Sequence, residues 1–202
     1  MKKNKNEFIK YLEQINKSAN ESQKKERFIS FLERAFSNNS KIKLLIDKFT
    51  AGAENYLKIT KENKDYGFAD TQYENIIIEF ENNLKKTEQH AKSQLLEYLS
   101  GIYKSKKKIN YRLISSDGIK WIVYYFDSTL VKKDINRNNL SLLKEKEVFI
   151  LNNSNFDDFY YFISKYLFQN VEKNPTLSNF IDDFGIKSNL FANCFFELNK
   201  IY

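Results

Sequence analysis

Three acidic residues on short β-type segments are the residues of this chain best placed to do chemistry. Asp70 lies in the segment Gly67–Tyr73, and Glu79 and Glu81 lie in the strongly apolar segment Asn75–Glu81. Because strand residues two apart point to the same side, Glu79 and Glu81 are expected to project together. Two neighbouring carboxylates in an apolar strand are costly to bury unless a cation lies between them. The pattern therefore predicts a site for a divalent metal ion.

The helix expected after these strands carries Gln94 and Tyr98 on one face, since residues four apart are neighbours on a helix. Each of these signals also has an ordinary structural interpretation. Acids flanking Phe80 on an apolar strand are typical of an exposed edge, Asp70 suits a turn, and Gln94 and Tyr98 suit any helix face. Only the ordered combination of strand acids and helix residues favours a metal site.

Composition limits the classes of protein to which the chain can belong. Its 202 residues are 42% hydrophobic and 16% aromatic, which predicts a folded domain rather than disorder. We expect no membrane span or signal segment, because no apolar run approaches the ~18 residues that a span requires. The single cysteine, Cys194, is expected to be a small buried residue of a reduced, cytoplasmic protein, and one His with one Cys excludes a structural zinc site within this chain. The net charge of +7 permits a polyanionic partner without establishing one, because nearly all the cations are Lys.

Hydrophobic periodicity predicts a mixed α/β fold with an α–β–β–β–α–β core flanked by helices. Helices are expected at 7–16, 26–36 and 41–51, and a strand meander at 55–60, 67–73 and 75–81. The next helix is expected to be capped by Thr87 and to end near Gly101. A hairpin around Ser116-Asp117-Gly118 and a strand at 146–151 follow, and then helices at 156–168, 178–185 and 189–202. We therefore divide the chain into a core, 1–130, and a C-terminal strand and helical extension, 131–202, packed on the core or linked to it.

The acids and the helix residues resemble, in this order, the motifs of the PD-(D/E)xK nuclease superfamily. The family pattern is an Asp after the first hairpin, Glu-x-Lys on the next strand and Gln-x-x-x-Tyr on the following helix. The matching residues are Asp70, the triplet Glu79-Phe80-Glu81, and Gln94 with Tyr98. The chain is most similar to the RecB-like branch, as found at the N-terminus of fused type IIG restriction–modification enzymes. The likeness extends over about 26–199 and includes segments 111–121 and 183–188.

The resemblance implies a restriction-endonuclease-like core and Mg²⁺-dependent cleavage of double-stranded DNA, with Mn²⁺ as a substitute ion. Asp70, Glu79 and the Phe80 carbonyl would bind the metal, and Glu81 would orient a metal-bound water or bind a second ion. Gln94 would hydrogen-bond near the nucleotide or brace the acids, and Tyr98 would pack beneath or contact DNA. A restriction or anti-phage role follows, with a methyltransferase or specificity module in a longer native chain. Dimerisation is compatible with it, since one such site cuts one strand.

The chain departs from the family at Glu81, which occupies the place of the usual lysine. Lys85 or Lys92 is a candidate substitute, and the alternative is a catalytically inactive nuclease fold that binds DNA or a partner protein. His90 is expected to be exposed to solvent, with no catalytic role. A basic loop with Lys104, Lys106, Lys107 and Lys108 would contact the phosphate backbone.

Overall fold

The computed structural model describes the N-terminal residues 5–36 and 46–47, most of the central region, and isolated C-terminal positions. The central ranges are 71–73, 76–106, 111–126, 135 and 137–168, and the C-terminal positions are 177, 181, 184–186, 191, 194–195 and 198–199. Asp70, the strand expected at 55–60 and most of the last two predicted helices lie outside these ranges. The chain divides into two compact units, Met1–Phe156 and Asp157–Tyr202.

A five-stranded mixed sheet forms the centre of the first unit, which confirms the predicted α/β class. Its strands follow chain order across the sheet: β1 Thr71–Tyr73, β2 Ile76–Phe80, β3 Arg112–Ser116, β4 Lys120–Phe126 and β5 Leu143–Ile150. Only β2 and β3 pair in parallel, and the other neighbours are antiparallel. A parallel pair needs a long crossover connection, which here is the helix α3, Leu84–Lys106. The strand predicted at 146–151 is β5, which lies at one end of this strand order.

Strand β2 is buried along its whole length because helices cover both faces of the sheet. On one face Ile77 packs in a cluster with Leu95 and Leu99 of α3. On the other face the Phe80 ring lies 5.8 Å from that of Phe28, which lies 4.6 Å from Trp121. Phe28 belongs to the second of two N-terminal helices, α1 Lys5–Asn16 and α2 Glu21–Ala35. The central strand is therefore shielded from water on both sides.

The N-terminal helices occur where periodicity predicted them, with two differences in detail. Helix α2 begins at Glu21, five residues before the expected start, because the Asn20 side chain accepts a hydrogen bond from the Gln23 N–H at 2.9 Å. Ile9 shares the predicted apolar stripe of α1 with Phe8, Leu12 and Ile15. It is nevertheless 40% exposed, whereas Tyr11 is fully buried. Hydrophobic periodicity alone does not reveal the side-chain cap at Asn20, and it does not decide whether Ile9 or Tyr11 is the buried residue of α1.

The expected boundaries of α3 were wrong at both ends. The helix begins at Leu84, and Thr87 is a kink with non-helical backbone angles whose hydroxyl donates to the Asn83 carbonyl. The helix continues past Gly101 to Lys106. A single glycine lowers helix stability by only ~1 kcal/mol, and packing of the adjacent Ile102 in the core outweighs it.

The described part of the second unit consists mainly of α4, Phe156–Ile163, which starts at the end of the first unit, and a π-helical turn, Ser164–Phe168. Together they match the predicted helix 156–168. Cys194 was expected to be buried and is exposed, as are the neighbouring Phe191 and Phe195. None of the helices in the described ranges is both long enough and apolar enough to cross a membrane.

The β3–β4 turn is the point where α1 contacts the sheet. The Tyr11 hydroxyl donates to the Gly118 carbonyl at 2.9 Å, and Ile15 packs against the same residue. Gly118 has φ of 86°, and a Cβ atom there would lie 2.6 Å from Ile15 Cδ1. Glycine is required both by the left-handed backbone and by the close approach of the helix.

Replacing Gly118 by Ala should lower the free energy of unfolding by about 1–3 kcal/mol, because the new methyl group adds backbone strain and displaces Ile15. Urea denaturation followed by circular dichroism measures this loss. Gln89→Ala, at an exposed position of α3, is the matched control and should change stability by less than ~0.5 kcal/mol. Equal denaturation midpoints for the two variants would contradict the argument.

Candidate functional site

Two buried carboxylates lie at the carboxyl end of β2. Glu79 is 4% exposed and Glu81 is 2% exposed. The Glu81 N–H donates to the Ser116 carbonyl at 2.8 Å, so the ladder between β2 and β3 continues one residue beyond Phe80. Strand alternation therefore puts Glu79 and Glu81 on the Ile77 face, beneath α3.

Glu81 is hydrogen-bonded to the only histidine of the chain. Its Oε1 lies 2.9 Å from Nδ1 of His90, which is on α3. The His90 side chain is 65% exposed, as the sequence predicted, but it contacts the site directly. An ionised carboxylate can only accept hydrogen bonds, so with Glu81 ionised the hydrogen of this pair lies on Nδ1 of His90.

A second set of polar groups extends from Glu79 toward β4. Ser115 is opposite Glu79 on β3, and its Oγ lies 2.9 Å from the Tyr124 hydroxyl. Burial raises the pKa of Tyr124 well above its usual value, so the phenol stays protonated over the whole working range of pH. The Lys92 Nζ lies 5.2 Å from the centre of the Tyr124 ring. The residue opposite Glu79 on β3 therefore carries a hydroxyl that is itself hydrogen-bonded to Tyr124.

Lys92, a candidate substitute for the family's lysine, is held by carboxylates. Its Nζ lies 3.3 Å from Glu88 and 3.6 Å from Glu145. Glu88 also accepts a hydrogen bond from Lys120 at 3.0 Å. Lys85, the other candidate, is exposed near the start of α3. Lys92 is therefore already paired with two carboxylates in the folded protein.

Gln94 and Tyr98 lie on the part of α3 that covers the sheet. The Gln94 Oε1 has no access to solvent and no hydrogen-bond partner within the ranges described. Tyr98 is 6% exposed and belongs to the core cluster with Leu95. Tyr98 is thus part of the packing between α3 and the sheet.

The structure describes only some of the remaining predicted site residues. Asp70, Lys107 and Lys108 are outside the described residues. The backbone of Lys104 and Lys106 belongs to the last turn of α3 rather than to a loop, because the helix does not stop at Gly101.

Two residues that sequence reasoning missed hold the segment that carries Glu81. The Asp117 Oδ2 accepts from the Leu84 N–H at 3.0 Å and so caps α3, while Oδ1 accepts from Ile119 and Lys120. Lys24 of α2 is 8% exposed, and its Nζ donates to the carbonyls of Asn82 at 2.7 Å and Asp117 at 3.1 Å. The Ser-Asp-Gly sequence signalled the hairpin turn, but no local signal indicates a cap for a helix 33 residues away.

The described donors suit a hard cation in chemistry, although they do not by themselves complete a site. Glu79 supplies a buried carboxylate and Gln94 a buried amide oxygen, and oxygen is the ligand that Mg²⁺ prefers. Among the residues that the structure describes, no three His, Cys, Asp or Glu side chains are grouped closely enough to hold a metal ion. The expected third ligand, Asp70, is not among those residues.

Comparison of the chain with protein-family models, with curated proteins and with solved structures finds no match in any of the three.

Asp117→Ala should lower the free energy of unfolding by about 1–2 kcal/mol, because it removes the cap of α3 and two turn hydrogen bonds. Amide hydrogen exchange should be faster at Leu84 than in wild type, which measures the loss of the cap itself. Asp117→Asn keeps one acceptor oxygen and should lose less stability. Unchanged exchange at Leu84 in the Ala variant would show that Asp117 does not hold this helix end.

Stability below about pH 5 should depend on Glu88. Burial raises the pKa of Glu88, but hydrogen bonds from Lys120 and Lys92 outweigh it and leave the pKa below its usual value. The folded state therefore favours the ionised form, which stabilises the protein above the unfolded pKa and is lost as pH falls through the lowered folded pKa. Denaturation between about pH 5 and pH 3 should show a shallower loss of stability in Glu88→Gln than in wild type. Glu13→Gln, at an exposed position of α1, should follow the wild-type slope.

Proposed function

We propose that the chain is a Mg²⁺-dependent DNA endonuclease domain, the cleavage module of a cytoplasmic restriction or anti-phage system. The proposal is carried by the two buried carboxylates at the end of β2, Glu79 and Glu81. The ordered likeness of Asp70, Glu79-Phe80-Glu81 and Gln94 to the PD-(D/E)xK motifs supports it from the sequence side.

The donor chemistry of the strand supports a cation beside Glu79. Mg²⁺ prefers oxygen ligands, and Glu79 supplies a carboxylate that is 4% exposed. His90 and the Ser116 carbonyl account for one side-chain oxygen and the backbone N–H of Glu81. A divalent ion at this point would be bound directly by the Glu79 carboxylate, away from bulk water.

The residues of the chain have separate tasks in the proposed site. Glu79, with Asp70 and the Phe80 carbonyl, would hold Mg²⁺, which when bound lowers the pKa of water and stabilises charge on a phosphate. Glu81 would orient the attacking water on the side of His90. Gln94 would donate its amide N–H groups to the nucleotide or the acids, with its oxygen already in the interior.

Double-stranded DNA is the proposed partner because the charge of the chain suits it. The net charge is +7, and Lys104, Lys106, Lys107 and Lys108 are close together in sequence around the end of α3. Contacts of this kind release counterions from DNA, so binding should weaken steeply as salt is raised. A homodimer, and a specificity or methyltransferase module in a longer chain, belong to the same proposal.

A second candidate, a nuclease fold that binds DNA or a protein without cutting, draws on a specific observation. The only partly buried lysine near the acids on α3, among the residues described, is Lys92, and it is paired with Glu88 and Glu145. Among the partly buried α3 lysines whose side chains the structure describes, none is therefore free to replace the one missing at position 81. This candidate predicts salt-sensitive DNA binding that needs no metal.

Glu79→Gln should reduce Mn²⁺- or Mg²⁺-dependent cleavage of duplex DNA by about 100-fold or more, because it removes a metal-binding charge at nearly constant volume. Calorimetric titration with Mn²⁺ should lose its binding signal in the same variant. The control is Glu13→Gln, which should cut and bind like wild type. Equal cleavage by wild type and Glu79→Gln would remove this acid from the mechanism. DNA binding without any metal binding by wild type would favour the inactive candidate.

A further inference from the structure

The pair of Glu81 and His90 has an asymmetry that a purely structural contact does not need. Glu81 is 2% exposed while the His90 side chain is 65% exposed, and the two are joined at 2.9 Å through Nδ1. One ring nitrogen is thus held by a buried carboxylate, and most of the imidazole is open to solvent. A carboxylate that fixes Nδ1–H leaves the Nε2 lone pair available as a proton acceptor.

We propose that His90 is a further catalytic residue of this chain, the acceptor of the proton from the attacking water, with Glu81 as its positioning residue. The inference rests on the proposed nuclease function and adds a residue to it. The family pattern has a lysine at position 81, and here the side chain at that position, Glu81, is hydrogen-bonded to a nitrogen base on α3.

The arrangement follows a general rule for imidazole bases. A carboxylate hydrogen-bonded to one ring nitrogen fixes the tautomer and orientation of the ring and stabilises the imidazolium that forms when the other nitrogen takes a proton. Glu81 is itself held by its backbone bond to Ser116, and α3, which carries His90, is capped by Asp117. Glu81 is therefore held by the strand ladder, and His90 is carried by a capped helix.

The proposed step balances without any added reagent. A bond forms between the water oxygen and phosphorus, and the bond from phosphorus to the 3′ oxygen of DNA breaks. The water proton moves to Nε2 of His90, and the departing 3′ oxygen takes a proton from solvent. Nothing is oxidised or reduced, and His90 returns its proton to solvent before the next turnover.

The lysines on the same helix are less suited to this task. Lys92 would have to leave Glu88 and Glu145, two carboxylates for which it is a partner in the folded protein. His90 has no such competing contact among the described residues other than Glu81 itself. The structure therefore favours the His90 imidazole over the Lys92 amine as the base.

The kinetic test compares His90→Asn with His90→Ala. Asn places an amide N–H near the position of Nδ1 and so keeps the hydrogen bond to Glu81 but has no group that can accept a proton in place of Nε2. We expect kcat for DNA cleavage to fall by about 10²–10⁴-fold in both variants, with Mn²⁺ and DNA binding unchanged. Added imidazole should restore part of the activity of His90→Ala. Wild-type kcat in His90→Asn would overturn the proposal and leave His90 a structural contact.

A spectroscopic test does not depend on cleavage. Because the chain contains one histidine, ¹⁵N spectra of the imidazole report on His90 alone. We expect the neutral ring to carry its hydrogen on Nδ1 in wild type and to lose this preference in Glu81→Gln. A neutral ring protonated on Nε2 in wild type would overturn the proposal. Failure of the proposed function is recognised separately, on the wild-type protein alone. Wild-type protein that neither cuts DNA nor binds Mn²⁺ would overturn that function before any His90 variant is made.

Discussion

The burial of acidic side chains on a strand that is shielded on both faces is the constraint on which the rest of this structure depends. β2 has apolar neighbours above and below, and Glu79 and Glu81 are only 4% and 2% exposed. Charged groups in such surroundings must be matched by specific partners. The hydrogen bond from His90 is one such partner, and the proposed cation is another.

The segment after β2 is held by elements that are distant in sequence. Asp117 in the β3–β4 turn caps α3. Lys24 on α2 donates to the carbonyl of Asn82, which follows β2, and to that of Asp117. Tyr11 on α1 donates to the carbonyl of the next residue in the turn, Gly118. Because each of these bonds links a different element to the same few residues, the position of Glu81 depends on the N-terminal helices as well as on the sheet.

Local patterns predicted the elements and the faces of this chain, and long-range contacts determined what the patterns missed. Alternation around β2 placed Glu79 and Glu81 on one face, and helical spacing gave the buried side of α1 and α2 almost completely. The start of α3 was missed because its cap comes from Asp117, and Lys24 lies before the start expected for the second helix. The pairing of Glu81 with His90 spans nine residues and a turn, so neither the strand period nor the helix period contains it.

Two sets of titratable side chains involve α3, one around Lys92 and one around His90, and they differ in what catalysis would disturb. Glu88 binds Lys92 and Lys120, and Glu145 of β5 contacts the same Lys92, so this set joins the helix to the far strands of the sheet. Use of Lys92 in catalysis would take it from Glu88 and Glu145, its two partners in the folded protein. The other set is Glu81 with His90, whose imidazole is already mostly in solvent. Under the proposed function, a base drawn from the second set would leave the packing of α3 on the sheet intact. An acid could then occupy position 81 while His90 supplies the nitrogen base.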